Sequence, residues 1–312
     1  MPIFVVGARN QRVAIPHQAL TVSITGAVST AELEIRCGAG QPVVRSSAHH
    51  ALLPRLDGPV VIAVHPVGAT RFASPTVIHL AIGNDNPGDL DPVQVIFDPV
   101  NVSGDTDVVF AELTPRGQQV DVAVSAVADI PLSALAAAAR TSTRNAVGRG
   151  SSSVGVPVVL AVDTSASMRP WFADGSVAAV AEIVVGVADA VGLRNVSAVL
   201  VGSDVTEVRP TQTGSMADAV RAVTPRWCAG ARWTRLPTGP ARTVVCTDFA
   251  TGPAQQRFPV IILSDDPRQD GAVGRFPSPP HGSDAVAELI AQPTLLDRVT
   301  APLARALTAR PT

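Results

Sequence analysis

Between Val156 and Val162 the chain reads V-P-V-V-L-A-V, and this run ends at Asp163 in D-T-S-A-S. An uninterrupted apolar run is buried either as a strand covered on both faces or as a turn of core helix. The valines favour the strand, and a strand without polar alternation belongs in a sheet with cover on each side. A helical pattern follows at once in "DGSVAAVAEIVVGVADAVGL", where Val177, Val180, Ala181, Val184, Val187, Ala188 and Val191 share one face. Further on come "SAVLVGS", "TEVRPT" and "RTVVCTD" as strands, "SMADAVRAV" as a short helix and "FPVIILSDD" as another strand. "SDAVAELIAQPTLLDRVTAPLARAL" closes the chain as helix, interrupted near Pro293 and kinked at Pro302. Alternation of this kind predicts a doubly wound, mainly parallel α/β sheet for residues 154–312.

The first 130 residues have a different rhythm. Short segments such as "LTVSITG", "AELEIRC", "TVIHLAI" and "QVDVAVSAV" recur with Gly, Pro, Asn and Asp between them. Several alternate with period two, as in Leu20, Val22, Ile24 and in Leu33, Ile35, Cys37. Closely spaced strands with turn residues between them predict an all-β, sandwich-like domain over residues 1–130. Residues 131–153 read as a short helix, "PLSALAAAAR", and an exposed linker, "TSTRNAVGRGSSS".

Oxygen donors at alternate positions after a buried strand suit a hard cation. Ligands of open parallel sheets collect beyond the carboxyl ends of the strands. Asp163, Ser165 and Ser167 stand there, and magnesium takes oxygen ligands in an octahedron that keeps places for water or a partner. The same pattern also suits a helix N-terminus, whose free N–H groups the Asp and Ser oxygens would cap.

"VVLAVDTSASM" resembles the first strand and metal-binding loop of von Willebrand factor A domains, over roughly the C-terminal half of the chain. The resemblance implies a bound Mg²⁺ or Mn²⁺ held by the D-x-S-x-S residues, a threonine from a second loop and an aspartate at a later strand end. It also implies a partner protein that supplies an acidic residue to the metal. Thr234 in "CAGARWTRLP" is the expected threonine, with Thr213 in "TQTGSM" as the alternative; Asp248 in "RTVVCTDFATGP" is the expected aspartate, with Asp265 as the alternative. The N-terminal half resembles the TerD tellurium-resistance family through "AELEIRCGAGQPVV" and "GNDNPGDLD". Asp85, Asp89 and Asp91 in that loop suit calcium through their carboxylates and equally suit an ordinary acidic turn; the resemblance implies a calcium-binding β-sandwich and a setting in a bacterial stress or tellurium-resistance-like system.

Composition removes other classes. The chain has neither lysine nor tyrosine, which excludes a Walker-type phosphate loop, Schiff-base chemistry and tyrosine acid–base catalysis. The net charge of −2 and the lack of a basic stripe point away from nucleic acid. Cys37, Cys228 and Cys246 form no disulfide framework. "GRGSSSVG" has the wrong glycine spacing for a dinucleotide loop, and no G-x-S-x-G or H-E-x-x-H is present. No histidine lies between His79 and His281, so a metal-dependent hydrolase lacks a general base near the motif. "MPIFVVGARNQR" lacks the basic start and apolar run of a signal peptide, and no run is long enough to span a membrane; a cytoplasmic protein is expected. The reading is a non-enzymatic, metal-dependent protein-binding module. A metal-dependent hydrolase and a scaffold with an inactive site are the alternatives.

Overall fold

The structure is a computed structural model that describes residues 2–7, 11–84, 92–126, 129, 131–148, 156–193, 195–210, 215–237, 239–249, 252–269, 273–280 and 283–309. The chain forms two compact units, Met1–Ile130 and Pro131–Thr312.

The first unit is built from β1 (Ile3–Val6), β2 (Arg12–Pro16), β3 (Leu20–Gly26), β4 (Ala31–Cys37), β5 (Val44–Ser47) and β6 (His50–Leu53), followed by β7 (Val60–Pro66), β8 (Val77–Gly83), β9 (Gln94–Phe97), β10 (Val100–Asn101), β11 (Val108–Arg116) and β12 (Gln119–Val124). One sheet runs β1-β9-β8-β3-β6-β5 with β10 beside β8, and the other runs β2-β12-β11-β7-β4. β1 and β9 are parallel; the remaining pairs of both sheets are antiparallel. Period-two alternation puts Leu20, Val22 and Ile24 of one sheet and Leu33, Ile62 and Leu113 of the other into one shared core.

The second unit holds α1 (Ala134–Val147), β13 (Val158–Asp163), α2 (Arg169–Ala173), α3 (Ser176–Ala190), β14 (Val196–Val201), β15 (Val205–Val208) and α4 (Met216–Ala222), then β16 (Arg242–Thr247), α5 (Gly252–Arg257), β17 (Val260–Leu263), β18 (Gly274–Phe276), α6 (Ala285–Ala291) and α7 (Pro293–Thr308). Its sheet runs β15-β14-β13-β16-β17-β18. β14 and β15 are antiparallel, and the other four pairings are parallel.

This architecture corrects the doubly wound expectation. Across the described residues the chain is mostly β, with 18 strands in three sheets. The third sheet is mixed, and its two faces are covered unequally. On one face Val158, Leu160, Val162, Val244, Cys246 and Ile261 pack in a core shared with the helices α1, α3, α4, α6 and α7. On the other, Ala161, Val201, Val245, Val260 and Ile262 pack against Trp233 and Leu236 at a 3-10 turn, Ala254 of the six-residue α5, and the partly buried Ala231 and Phe258, without a long helix among the described residues. The physical reason lies between α4 and β16. Pro225, Gly230, Pro237, Gly239 and Pro240 punctuate that segment, so it cannot supply a helix to the second face.

The expected linker is also revised. Residues 141–147 continue α1, which packs into the second unit with Leu135, Ala139 and Arg144 buried. Ser133 caps the helix by accepting from Ala136 N at 3.3 Å, and its hydroxyl donates to Glu182 at 2.7 Å. α3 is therefore buried on more than the one face its periodicity suggested; Ala178, Ala179, Ile183 and Ala190 are also inside. The break in the C-terminal helix falls at Gln292, with Pro293 opening α7. No single helix among the described residues is long and apolar enough to cross a membrane.

Candidate functional site

The site lies where β13 ends. β13 is central, with β14 on one side and β16 on the other, so Asp163 emerges between two parallel neighbours. Its carboxylate is nearly buried, at 5% exposure, and both oxygens are engaged. Ser165 N donates to Oδ1 at 2.6 Å, and Thr247 Oγ1, from the last residue of β16, donates to Oδ2 at 2.7 Å. The chain then turns into a 3-10 segment, Ala166–Met168, and rises toward solvent: Ser165 is buried and Ser167 exposed. The Ser165 and Ser167 hydroxyl oxygens stand 3.0 Å apart.

A second strap secures the loop. Cys228 forms a parallel bridge with Ser165; Cys228 N donates to Thr164 O at 3.1 Å and Ala166 N donates to Cys228 O at 2.8 Å. Gly202, at the end of β14, lets these pieces close up, because a Cβ there would fall 2.6 Å from Thr164 Oγ1 and 3.3 Å from Cys228 Sγ.

Burial pushes the Asp163 carboxyl above its ordinary value, while hydrogen bonds from Thr247 and Ser165 pull it down and the Asp248 charge adds to the rise. The Cys246 thiol beneath is pushed far up, first by burial and then by the charges of Asp163 and Asp248. Asp248 stands one residue past the end of β16, the strand beside β13. Asp265 follows β17, one strand further out, and is occupied elsewhere. It accepts from Ser278 N at 2.7 Å and from Ser278 Oγ at 2.8 Å.

Thr234 sits exposed on the 3-10 turn Trp233–Arg235, and among the described residues no hydrogen bond joins it to Asp163, Ser165 or Ser167. The threonine that touches Asp163 is Thr247, which sequence reasoning passed over. Its signal was its place beside Asp248 on a strand adjoining β13. Thr213, Asp85, Asp89 and Asp91 lie outside the described residues. Trp233 is a packing residue at 5% exposure, and Trp227 stands edge-on to Phe172 with centroids 5.3 Å apart.

The donors gathered here are oxygens: the Asp163 carboxylate and the Ser165 and Ser167 hydroxyls. The Ser165 and Ser167 hydroxyls are hydrogen-bonded to each other at 3.0 Å, and a cation would have to replace that bond with two bonds of its own. Among the described residues no three His, Cys, Asp or Glu side chains converge on a metal-sized space. A cation here would therefore rest on two carboxylates at most, with hydroxyls and water completing its shell, and that composition suits a hard ion and not zinc.

The Thr247 hydroxyl fixes which lone pairs of Asp163 stay free. Thr247→Val keeps the shape, removes that donor and leaves Oδ2 buried without it. Mg²⁺ affinity by titration calorimetry is expected to fall about tenfold, as for partners that orient a ligand, and Thr247→Ser is expected to restore it. Equal affinity in Thr247→Val would refute the role.

No family model matches the chain, and no curated protein does. Among solved structures, proximal thread matrix protein 1 from the mussel byssus is similar at 11% identity and a TM-score of 0.30. The alignment covers 48% of this chain and 49% of that one. A likeness this slight bears on neither fold nor function.

Proposed function

We propose that this chain is a divalent-cation-dependent protein-binding module, with Mg²⁺ or Mn²⁺ held at the end of β13. The carrying observation is a buried carboxylate at the end of the central strand, followed on the same loop by two serine hydroxyls that are hydrogen-bonded to each other. Ser165 and Ser167 would hold the ion, with Asp163 and Asp248 supplying charge. When bound, the ion supplies a Lewis-acidic position for a carboxylate of a partner protein. The likeness of D-T-S-A-S to the metal loop of von Willebrand factor A domains supports this reading. So does the exposure of Ser167, which turns the site outward.

Titration of Mg²⁺, Mn²⁺ and Ca²⁺ into EDTA-stripped protein tests it. One Mg²⁺ or Mn²⁺ per chain, lost on Ser165→Ala with Ser167→Ala, is expected, with Ca²⁺ weaker. Absence of saturable binding at millimolar Mg²⁺ would sink the proposal.

A further inference from the structure

The two sheets of the first unit end in β1 and β5 and in β2 and β4. Three of these edges are guarded. β2 carries Arg12, bound to Asp121 at 2.6 Å, and ends in Pro16. β4 carries Glu32, Glu34 and Arg36. β5 carries Arg45, whose guanidinium reaches Glu32 at 3.2 Å and Leu33 O at 2.8 Å. Charge and proline on an edge discourage another chain from adding a strand. β1 has neither between its first and last residue. It reads Ile3-Phe4-Val5-Val6, and the first three side chains are 54%, 37% and 63% exposed.

The backbone of β1 is half used. Pro2 O accepts from Gln94 N at 3.1 Å and Val6 O from Asp98 N at 3.0 Å, both toward β9. Polar groups alternate in direction along a paired strand, so the N–H and C=O of Ile3 and Val5 point to the open side. Among the described residues no strand pairs with that side. The next amide there, Gly7 N, is taken by Gln11 Oε1 at 3.2 Å.

An edge that offers one N–H and C=O at Ile3 and another at Val5 is complementary to itself. We infer that β1 pairs antiparallel with β1 of a second copy of this chain, about a two-fold axis at Phe4. Ile3 exchanges both bonds with the partner's Val5, and Val5 does the same with the partner's Ile3. Phe4 faces the partner's Phe4 at the closer position, which carries no hydrogen bond, and forms an aromatic cross-strand pair. Side-chain parity is kept. Val5 lies beside the half-buried Ile96 of β9, and the partner's Ile3 extends that apolar strip on the same face. No like charges meet, because the strand carries none. An isologous contact requires one patch to complement itself, and β1 does so in bonds, in facing and in charge. So short a contact is smaller than a standard interface, and contacts of that class are weak and transient.

Sedimentation velocity of the full chain, from micromolar to millimolar loading, tests the inference. The weight-average mass is expected to climb with concentration toward twice that of the monomer. Ile3→Lys with Val5→Lys sets like charges across both bonded pairs and should abolish the climb. Ile3→Glu with Val5→Lys sets opposite charges across the same pairs and should restore it, most strongly at low salt. Both double variants alter exposed side chains, so thermal midpoints close to wild type are expected of each. Wild type that stays monomeric at millimolar concentration would overturn the inference. Association that survives the double lysine variant would also overturn it by placing the contact elsewhere. Failure of the Glu/Lys variant to associate would do so too, and would leave an extended peptide of another protein as the occupant of this edge.

Discussion

Asp163→Asn is expected to abolish Mg²⁺ binding, lowering affinity at least ~100-fold, the upper end of what even an outer partner's loss costs, while leaving the protein folded. The replacement is isosteric. Its carbonyl still accepts from Ser165 N, and the Thr247 hydroxyl can turn from donor to acceptor. Only the charge disappears. That charge is held against burial and against Asp248, both of which raise the Asp163 carboxyl above 3.8 in the folded protein. Between the unfolded value and the raised folded value, the folded state keeps a proton that the unfolded state has released. Stability therefore falls as pH rises through that window, and it is fully retained only below it. Metal-free wild type should show this decline in urea titrations at successive pH values. Asp163→Asn should lack it, and Mg²⁺ should reverse it in wild type alone by binding the folded state. Undiminished Mg²⁺ affinity in Asp163→Asn would remove Asp163 from the site.

Gly186→Ala should be the most damaging small substitution in the second unit. In an isolated helix the change would help by ~1 kcal/mol. Here α3 meets α1 so closely that a Cβ would lie 2.1 Å from Ala136 O, 2.9 Å from Ala136 C and 3.0 Å from Ala139 Cβ. Two of these neighbours are backbone, which cannot swing aside, so the helices must separate. Overpacking of this kind costs about 1–3 kcal/mol and sometimes more; with contact at 2.1 Å a net loss of ~2 kcal/mol is expected after the propensity gain. Trp171, Trp227 and Trp233 all belong to this unit, so tryptophan fluorescence in urea reports its unfolding. A midpoint equal to or above wild type would contradict the close crossing.

The sequence was most readable where burial alone decides structure. The run Val158–Val162 could hardly avoid a central strand, and the position of Asp163 beyond its end followed. The strand order is β13-β16-β17, so Asp248 follows the strand beside β13 and Asp265 follows the next one out. Less readable were places where polar residues are buried and satisfied by one another. "TSTR" at 141–144 looks like a tether, yet Thr143 Oγ1 donates to Ala139 O at 2.8 Å, Ser142 Oγ bonds Asp297 at 2.5 Å and Thr300 at 2.6 Å, and Arg144 pairs with Asp189 at 3.6 Å. Those partners lie 155 and 158 positions away for Ser142, which local composition cannot reveal. Thr247 was missed for a related reason. A threonine inside an apolar strand reads as β-propensity until the neighbouring strand brings a carboxylate to it.

The burial of α1 against α3 sets where the molecule can be divided. A fragment begun at the serine-rich stretch near Val154 would strip away Leu135, Ala136 and Ala139 and open a valine- and alanine-lined trough along α3 to water. Such a piece would invite self-association through that trough. A fragment begun at Pro131 keeps the trough filled, and is the one to expect as a soluble, protease-resistant product.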